Sequence, residues 1–280
     1  MKLIPAIAAA LTLSFSAAGA AHADNVLVVL SDSDHLDLRD GRVLQTGFYL
    51  NELMQPVQAL REAGHTITFA TPRGAAPTLD RSSVDKMYFG GDEAAMNASL
   101  ALLGELKLTS PDGSPVLSLA RVEQLGYDRF DAVYVPGGHA PMQDLLTSLE
   151  LGRLLTDFHA KGKTTALVCH GPIALLSTLP DAPAFVRSLE AGAAASQAGW
   201  IYAGYQLTVI SNQEEEIAKA LLDGGTMKFY PQTALEAAGA RHLSNQTPFS
   251  PNVVIDRELI TGQNPASAPA VAQALIERLD

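Results

Sequence analysis

Four short apolar runs constrain this chain more than any other feature: Asn25–Leu30 (NVLVVL), Thr66–Ala70 (TITFA), Ala132–Val135 (AVYV) and Thr164–Val168 (TTALV). They read as nearly continuous apolar, β-branched segments, so they predict strands covered on both faces, the situation of a parallel sheet. Parallel neighbours need crossover connections, and helical patterns fill the gaps. Within Thr46–Ala63, Phe48, Leu50, Leu53, Val57 and Leu60 recur every three to four residues, and Gly64 stops the predicted helix. Another helix is predicted from about Ile173. Leu207–Ile210 reads as a shorter strand, and Val253–Asp256 with Leu259–Thr261 as a terminal hairpin. Ser82–Gly126 has helical patterning at Ala94–Leu108 but no strong strand, so it is expected to be an insertion packed beside the sheet. The expectation is one three-layer α/β domain over residues 24–280, built on a mostly parallel central sheet.

Charge and cysteine usage narrow the function. The 280 residues include 19 Lys and Arg against 30 Asp and Glu, a net charge of -11. Nucleic-acid binding needs a basic face and is not expected. With one cysteine, Cys169, no intrachain disulfide can form. The N-terminus begins with Met1–Lys2, continues through apolar Leu3–Ala20 and closes with Ala21-His22-Ala23, a small-x-small pattern. Residues 1–23 are therefore expected to be a cleaved signal peptide, with export to a bacterial periplasm and no stable membrane anchoring. In an oxidising compartment an unpaired cysteine calls for a reason.

The reason lies at the strand ends, where ligands gather in open parallel sheets. The fourth run passes directly into Cys169-His170-Gly171-Pro172, the pattern of a nucleophile on a strand-to-helix elbow. The start of a following helix would stabilise a thiolate there. At the end of the third run, Gly137 and Gly138 bring backbone N–H groups close to a reacting atom because neither has a Cβ. With the N–H of His170 they can form an oxyanion hole, although a tight turn would also call for glycine. Glu52, flanked by Leu50, Leu53 and Met54, is either a solvent-facing carboxylate or, if buried, a protonated group against the sulfur. His35, His65, His139, His159 and His242 lack metal-ligand spacing; all but His139, which borders the expected pocket, read as surface or loop residues.

Several segments together resemble the ThiJ/PfpI group of the class I glutamine amidotransferase-like superfamily. They are Thr46-Gly47 with Glu52 and Pro56, Val135-Pro136-Gly137-Gly138-His139, Val168-Cys169-His170-Gly171-Pro172, Asn212–Glu216 (NQEEE) and Leu259–Pro265 (LITGQNP). The nearest branch is that of the thirty-one-kilodalton heat-shock chaperone-like proteins, which includes glyoxalase III enzymes. The resemblance implies a flavodoxin-like sandwich, a homodimer, Cys169 as nucleophile, His170 and Glu52 as its partners, and the backbone of Gly138 and His170 as oxyanion donors. The branch's third, acidic member falls on Asn212, an amide that can orient the imidazole through its carbonyl oxygen; Glu214 is a nearby substitute. The implied activity is glutathione-independent conversion of methylglyoxal to lactate through a Cys169 hemithioacetal, with no cofactor and no metal. The alternatives are a cysteine hydrolase or amidase, isocyanide hydration, and a holdase chaperone or redox sensor.

Overall fold

A computed structural model describes residues 23–193, 197 and 199–280. The expected leader therefore lies, apart from Ala23, outside the described residues. In chain order the first elements are β1 (Asn25–Val29), a hairpin of β2 (His35–Asp37) and β3 (Val43–Gln45), α1 (Leu50–Glu62) and β4 (Thr66–Thr71). Next come α2 (Glu93–Leu106), β5 (Leu117–Ser118), α3 (Leu119–Leu125), β6 (Ala132–Val135), α4 (Leu149–Lys161) and β7 (Thr164–Val168). After α5 (Ala182–Glu190) the chain runs through β8 (Gln206–Leu207), α6 (Asn212–Ile217), α7 (Pro231–Ala238) and β9 (Arg241–His242). It closes with β10 (Val253–Asp256), β11 (Leu259–Gly262) and α8 (Ala268–Leu279).

The main sheet has the order β10-β11-β7-β6-β1-β4-β5. Every pairing in it is parallel except the β10–β11 hairpin. Helices α1 and α8 pack on one face, and α3 and α4 on the other. This is the flavodoxin-like α/β sandwich. β1, β6 and β7 are buried almost throughout, as their continuous apolar sequences require. Burial of so much aliphatic surface from both helical layers fixes where their carboxyl ends emerge, and the site is built on those ends.

Four local expectations are corrected. The stretch Gly171–Thr178 is 3₁₀ helix, and α-helix resumes only at Ala182. Of Leu207–Ile210 only Leu207 is strand, and β8 pairs with β9 outside the main sheet. The segment 82–126 contributes a two-residue edge strand, β5, beside β4. One histidine expected at the surface is elsewhere: His65 is only 6% exposed, whereas His159, on α4, is half-buried with Nδ1 2.8 Å from Glu258 Oε1.

Candidate active site

Cys169 follows β7 directly and has φ +59°, a left-handed conformation rare for a residue with a side chain. The backbone on both sides holds it there. Its N–H donates to the Gly262 carbonyl at 2.9 Å, and its own carbonyl accepts from Ile210 N–H at 3.1 Å. The turn lifts the thiol off the sheet, and His170 Nδ1 lies 3.3 Å from Sγ. On the other side of the ring, His170 Nε2 is 2.8 Å from Glu215 Oε1. A carboxylate only accepts, so Nε2 carries the hydrogen and Nδ1 is free to take the thiol proton. Both residues are buried. Burial raises the Glu215 carboxyl, but the charge and hydrogen bond of His170, with His139 behind it, outweigh that and hold it below the usual carboxylate range.

Asn212 does not orient the imidazole. Its side chain is paired with Thr233 Oγ1, and the carboxylate against His170 is Glu215, three residues further along α6. Glu214 is no substitute either. Its buried carboxylate accepts from Ser211 N–H and Oγ, Gln263 Nε2, Asn264 Nδ2 and the Phe249 N–H. It ties the start of α6 to the β11–α8 loop, and so holds Glu215 in place.

Glu52 is fully buried in the first turn of α1. Pro56 stands where the donor to the Glu52 carbonyl belongs and has no N–H. The Tyr134 hydroxyl from β6 donates to that carbonyl instead, which pins the helix to the sheet at this residue. Glu52 Oε2 accepts the Gly137 N–H at 2.8 Å. Oε1 is buried without a nitrogen or oxygen partner, and the carboxyl interacts with the Cys169 thiol. Desolvation raises Glu52 from its ordinary value of 4.5 to about 8, against smaller lowering by the Gly137 and Cys169 hydrogen bonds. Glu52 therefore carries its proton at neutral pH.

Burial, and then the charges of Glu52 and Glu215, push the Cys169 thiol well above its ordinary value. The expected helix-stabilised thiolate is thus corrected: the following turn is 3₁₀, and the dominant influences are desolvation and acidic neighbours. The resting group is a thiol, with His170 placed to deprotonate it.

Glycine is required around this cluster by close approach. A Cβ at Gly137 would stand 2.6 Å from Glu52 Oε2 and 2.8 Å from both Cys169 Cβ and His170 N. Gly138 has φ +85°, and a Cβ there would stand 2.1 Å from the Gly47 carbonyl oxygen. Since the Gly137 N–H is taken by Glu52, the backbone donors left for an oxyanion beside the sulfur are those of Gly138 and His170.

His139 is also buried, its ring centroid 4.4 Å from that of His170 and its Nδ1 unpartnered. Burial, reinforced by the charge of His170, lowers it to about 4, so it is neutral at physiological pH. His139, His170 and Glu215 each bring a possible metal-ligating atom within 4.8 Å of the others. His170 and Glu215 already satisfy one another, which leaves the His139 nitrogen as the free member.

Over the cluster opens a cavity of about 640 Å³, which reaches Cys169, His139, His170 and Glu215. Sequence reasoning missed Glu215 and the apolar walls of this cavity, which come from segments far apart in the chain.

The chain is similar to several known proteins. A probable glutathione-independent glyoxalase of Schizosaccharomyces pombe is 27% identical over 272 residues, 91% of this chain and 98% of the relative. A protein/nucleic acid deglycase of Pseudomonas aeruginosa is 27% identical over 247 residues, 87% of this chain and 76% of the relative. The crystal structure of glyoxalase III from Candida albicans superposes with a TM-score of 0.62 at 21% identity, over 92% of this chain and 98% of that one, a likeness of fold. The family model described as ThiJ/PfpI family-like matches residues 43–194, a span that contains Glu52, Gly138, Cys169 and His170 and stops short of Glu215. That span is more than half of the sequence, and the chain belongs to the ThiJ/PfpI family.

Proposed function

We propose that this protein is a glutathione-independent glyoxalase, converting 2-oxoaldehydes to 2-hydroxy acids through covalent attachment to Cys169. The observation that carries the reading is Glu52: a carboxyl kept protonated to about pH 8 beside the nucleophilic sulfur. A thiol hydrolase needs a nucleophile and a base. An internal redox isomerisation needs in addition a group that moves a proton between adjacent carbons, and Glu52 is placed for it.

The steps follow from the geometry. His170 Nδ1 takes the Cys169 proton, and the sulfur attacks the aldehyde carbon to form a C–S bond. The alkoxide meets the N–H groups of Gly138 and His170 and is protonated to the hemithioacetal. Glu52 gives up its proton in that exchange, and its carboxylate then removes the hydrogen from the former aldehyde carbon. Returning that proton to the adjacent carbon, while the hydroxyl proton of the first carbon passes to the neighbouring oxygen, yields the thioester of a 2-hydroxy acid. Transfer of the imidazolium proton to the Glu52 carboxylate leaves His170 neutral again. One carbon is oxidised and its neighbour reduced within the same molecule, so the electrons balance. Water activated by His170 cleaves the thioester and restores the Cys169 thiol. Glu215 holds the imidazole in the correct tautomer and stabilises its protonated form.

The names of the fission-yeast and Candida proteins support this reading. Export through the leader and a homodimeric state belong to the same proposal and rest on the sequence and the family resemblance. The test is lactate formation from methylglyoxal without glutathione. Wild type should produce it, and Cys169→Ala and Glu52→Gln should not. Lactate formation by Cys169→Ala at the wild-type rate would refute the proposal.

A further inference from the structure

The cavity above Cys169 is far larger than the smallest 2-oxoaldehyde. At roughly 30 Å³ for each water-sized group, methylglyoxal fills about 150 Å³, under a quarter of the 640 Å³ present. The polar side chains of the lining are Cys169, His139, His170 and Glu215, where the dicarbonyl reacts, with the hydroxyls of Tyr49 and Tyr88 and the amide of Gln55. Most of the remaining lining is apolar. Met87, Tyr88 and Phe89, from a 3₁₀ turn in the segment 82–126, form one side, with Ile210, Leu221 and Phe249 elsewhere on the lining. At the rim Met87 is 68% exposed, Leu221 42% and Phe249 41%. Large apolar side chains left in water around a concave site mark where an apolar ligand is covered. Among the described residues no Lys or Arg lines the cavity, and the one acidic lining residue among them, Glu215, is committed to His170. A phosphate, a nucleic acid or an acidic peptide would find no counter-charge there.

We infer that the site takes 2-oxoaldehydes bearing an aryl or bulky alkyl substituent, with the dicarbonyl over Cys169 and the substituent against Met87, Tyr88 and Leu221. The inference deepens the glyoxalase reading and rests on it for the reaction, though not for the shape of the cavity. Moving a phenyl ring out of water is worth a factor of about 10 to 100 in binding.

The experiment compares phenylglyoxal, followed as mandelate, with methylglyoxal, followed as lactate, in wild type, Met87→Asp and Leu221→Asp. Both substituted positions are exposed enough for the fold to accept the change. The expected result is a kcat/KM for phenylglyoxal about 10-fold or more above that for methylglyoxal. Each variant should erase most of that advantage, slowing phenylglyoxal about 10-fold more than methylglyoxal. Equal or faster use of methylglyoxal by wild type, or variants that slow both substrates alike, would overturn the inference. A calorimetric titration of Cys169→Ala with mandelate and with lactate separates the two claims. If neither aldehyde is converted, the glyoxalase reading fails. Mandelate binding about 10-fold tighter than lactate then still supports the apolar pocket, and equal binding overturns it.

Discussion

Replacing Glu52 with Gln should make this protein more stable, and the gain should grow with pH in a defined window. Glu52 is fully buried, and its carboxyl titrates near 8 in the folded chain against 4.5 ordinarily. The native state therefore holds a proton that the unfolded state releases. A group whose folded value is raised contributes its full stability below the unfolded value and loses it as pH rises through the folded one. The penalty is absent below about pH 4.5, builds between there and about pH 8, and is constant above. Its ceiling is the shift of 8 minus 4.5, or 3.5, at about 1.4 kcal/mol per unit: on the order of 5 kcal/mol. Gln is isosteric with the protonated acid. Its carbonyl can accept the Gly137 N–H at the place of Oε2, and its amide can point at the Cys169 sulfur. The variant keeps the contacts and loses the titration. The assay is thermal unfolding of both proteins from pH 4.5 to 9. Asp144, raised to about 6 chiefly by burial, and His139 titrate in both proteins and cancel in the difference. Variant and wild type should melt together near pH 4.5 and separate on the order of 10 °C by pH 9. A melting difference that stays flat across the window would refute both the raised Glu52 and the proton-transfer role built on it.

Two further substitutions test how His170 is held. Glu215→Gln should cut kcat/KM roughly 100- to 10,000-fold, because the amide cannot stabilise an imidazolium at 2.8 Å, whereas Asn212→Ala should stay within about twofold of wild type. Steady-state kinetics on the two variants decides between the neighbouring positions, and a severe loss in Asn212→Ala alone would reverse the assignment. Glu214→Ala should cost about 3–5 kcal/mol in urea unfolding, since it strips the shared acceptor from buried donors at Ser211, Gln263 and Asn264 and from the half-buried Phe249 N–H.

The parts of the fold legible in the sequence are those set by local pattern. β1, β6 and β7 coincide with apolar runs because a strand buried on both faces cannot be polar. The elbow at Cys169 and the paired glycines before His139 are legible as local motifs, although the groups that crowd the glycines, Glu52, Cys169 and Gly47, come from distant segments. The hairpin of β2 and β3 is not legible: each strand is three residues long, with only Leu36 and Leu44 buried at their centres, too short for a period to show. The 3₁₀ course of Gly171–Thr178 is hidden for a different reason, because its apolar residues suit either helix type.

The acidic partner of His170 shows most sharply where local reasoning stops. On α6 successive side chains turn by about 100°, so Glu214, Glu215 and Glu216 must point in three directions. One enters the core, one meets His170, and Glu216 reaches solvent beside Tyr230 and Lys219. Which glutamate does which depends on the rotation of the helix about its own axis. That rotation is set by the Ser211 cap and by Gln263 and Asn264, about fifty residues later, gripping the Glu214 carboxylate. Asn212 and Glu215 lie three apart, nearly one turn, and so share a face of the helix. An expectation placed on Asn212 thus finds the right face and misses the residue, because only the later loop decides how deep that face is buried.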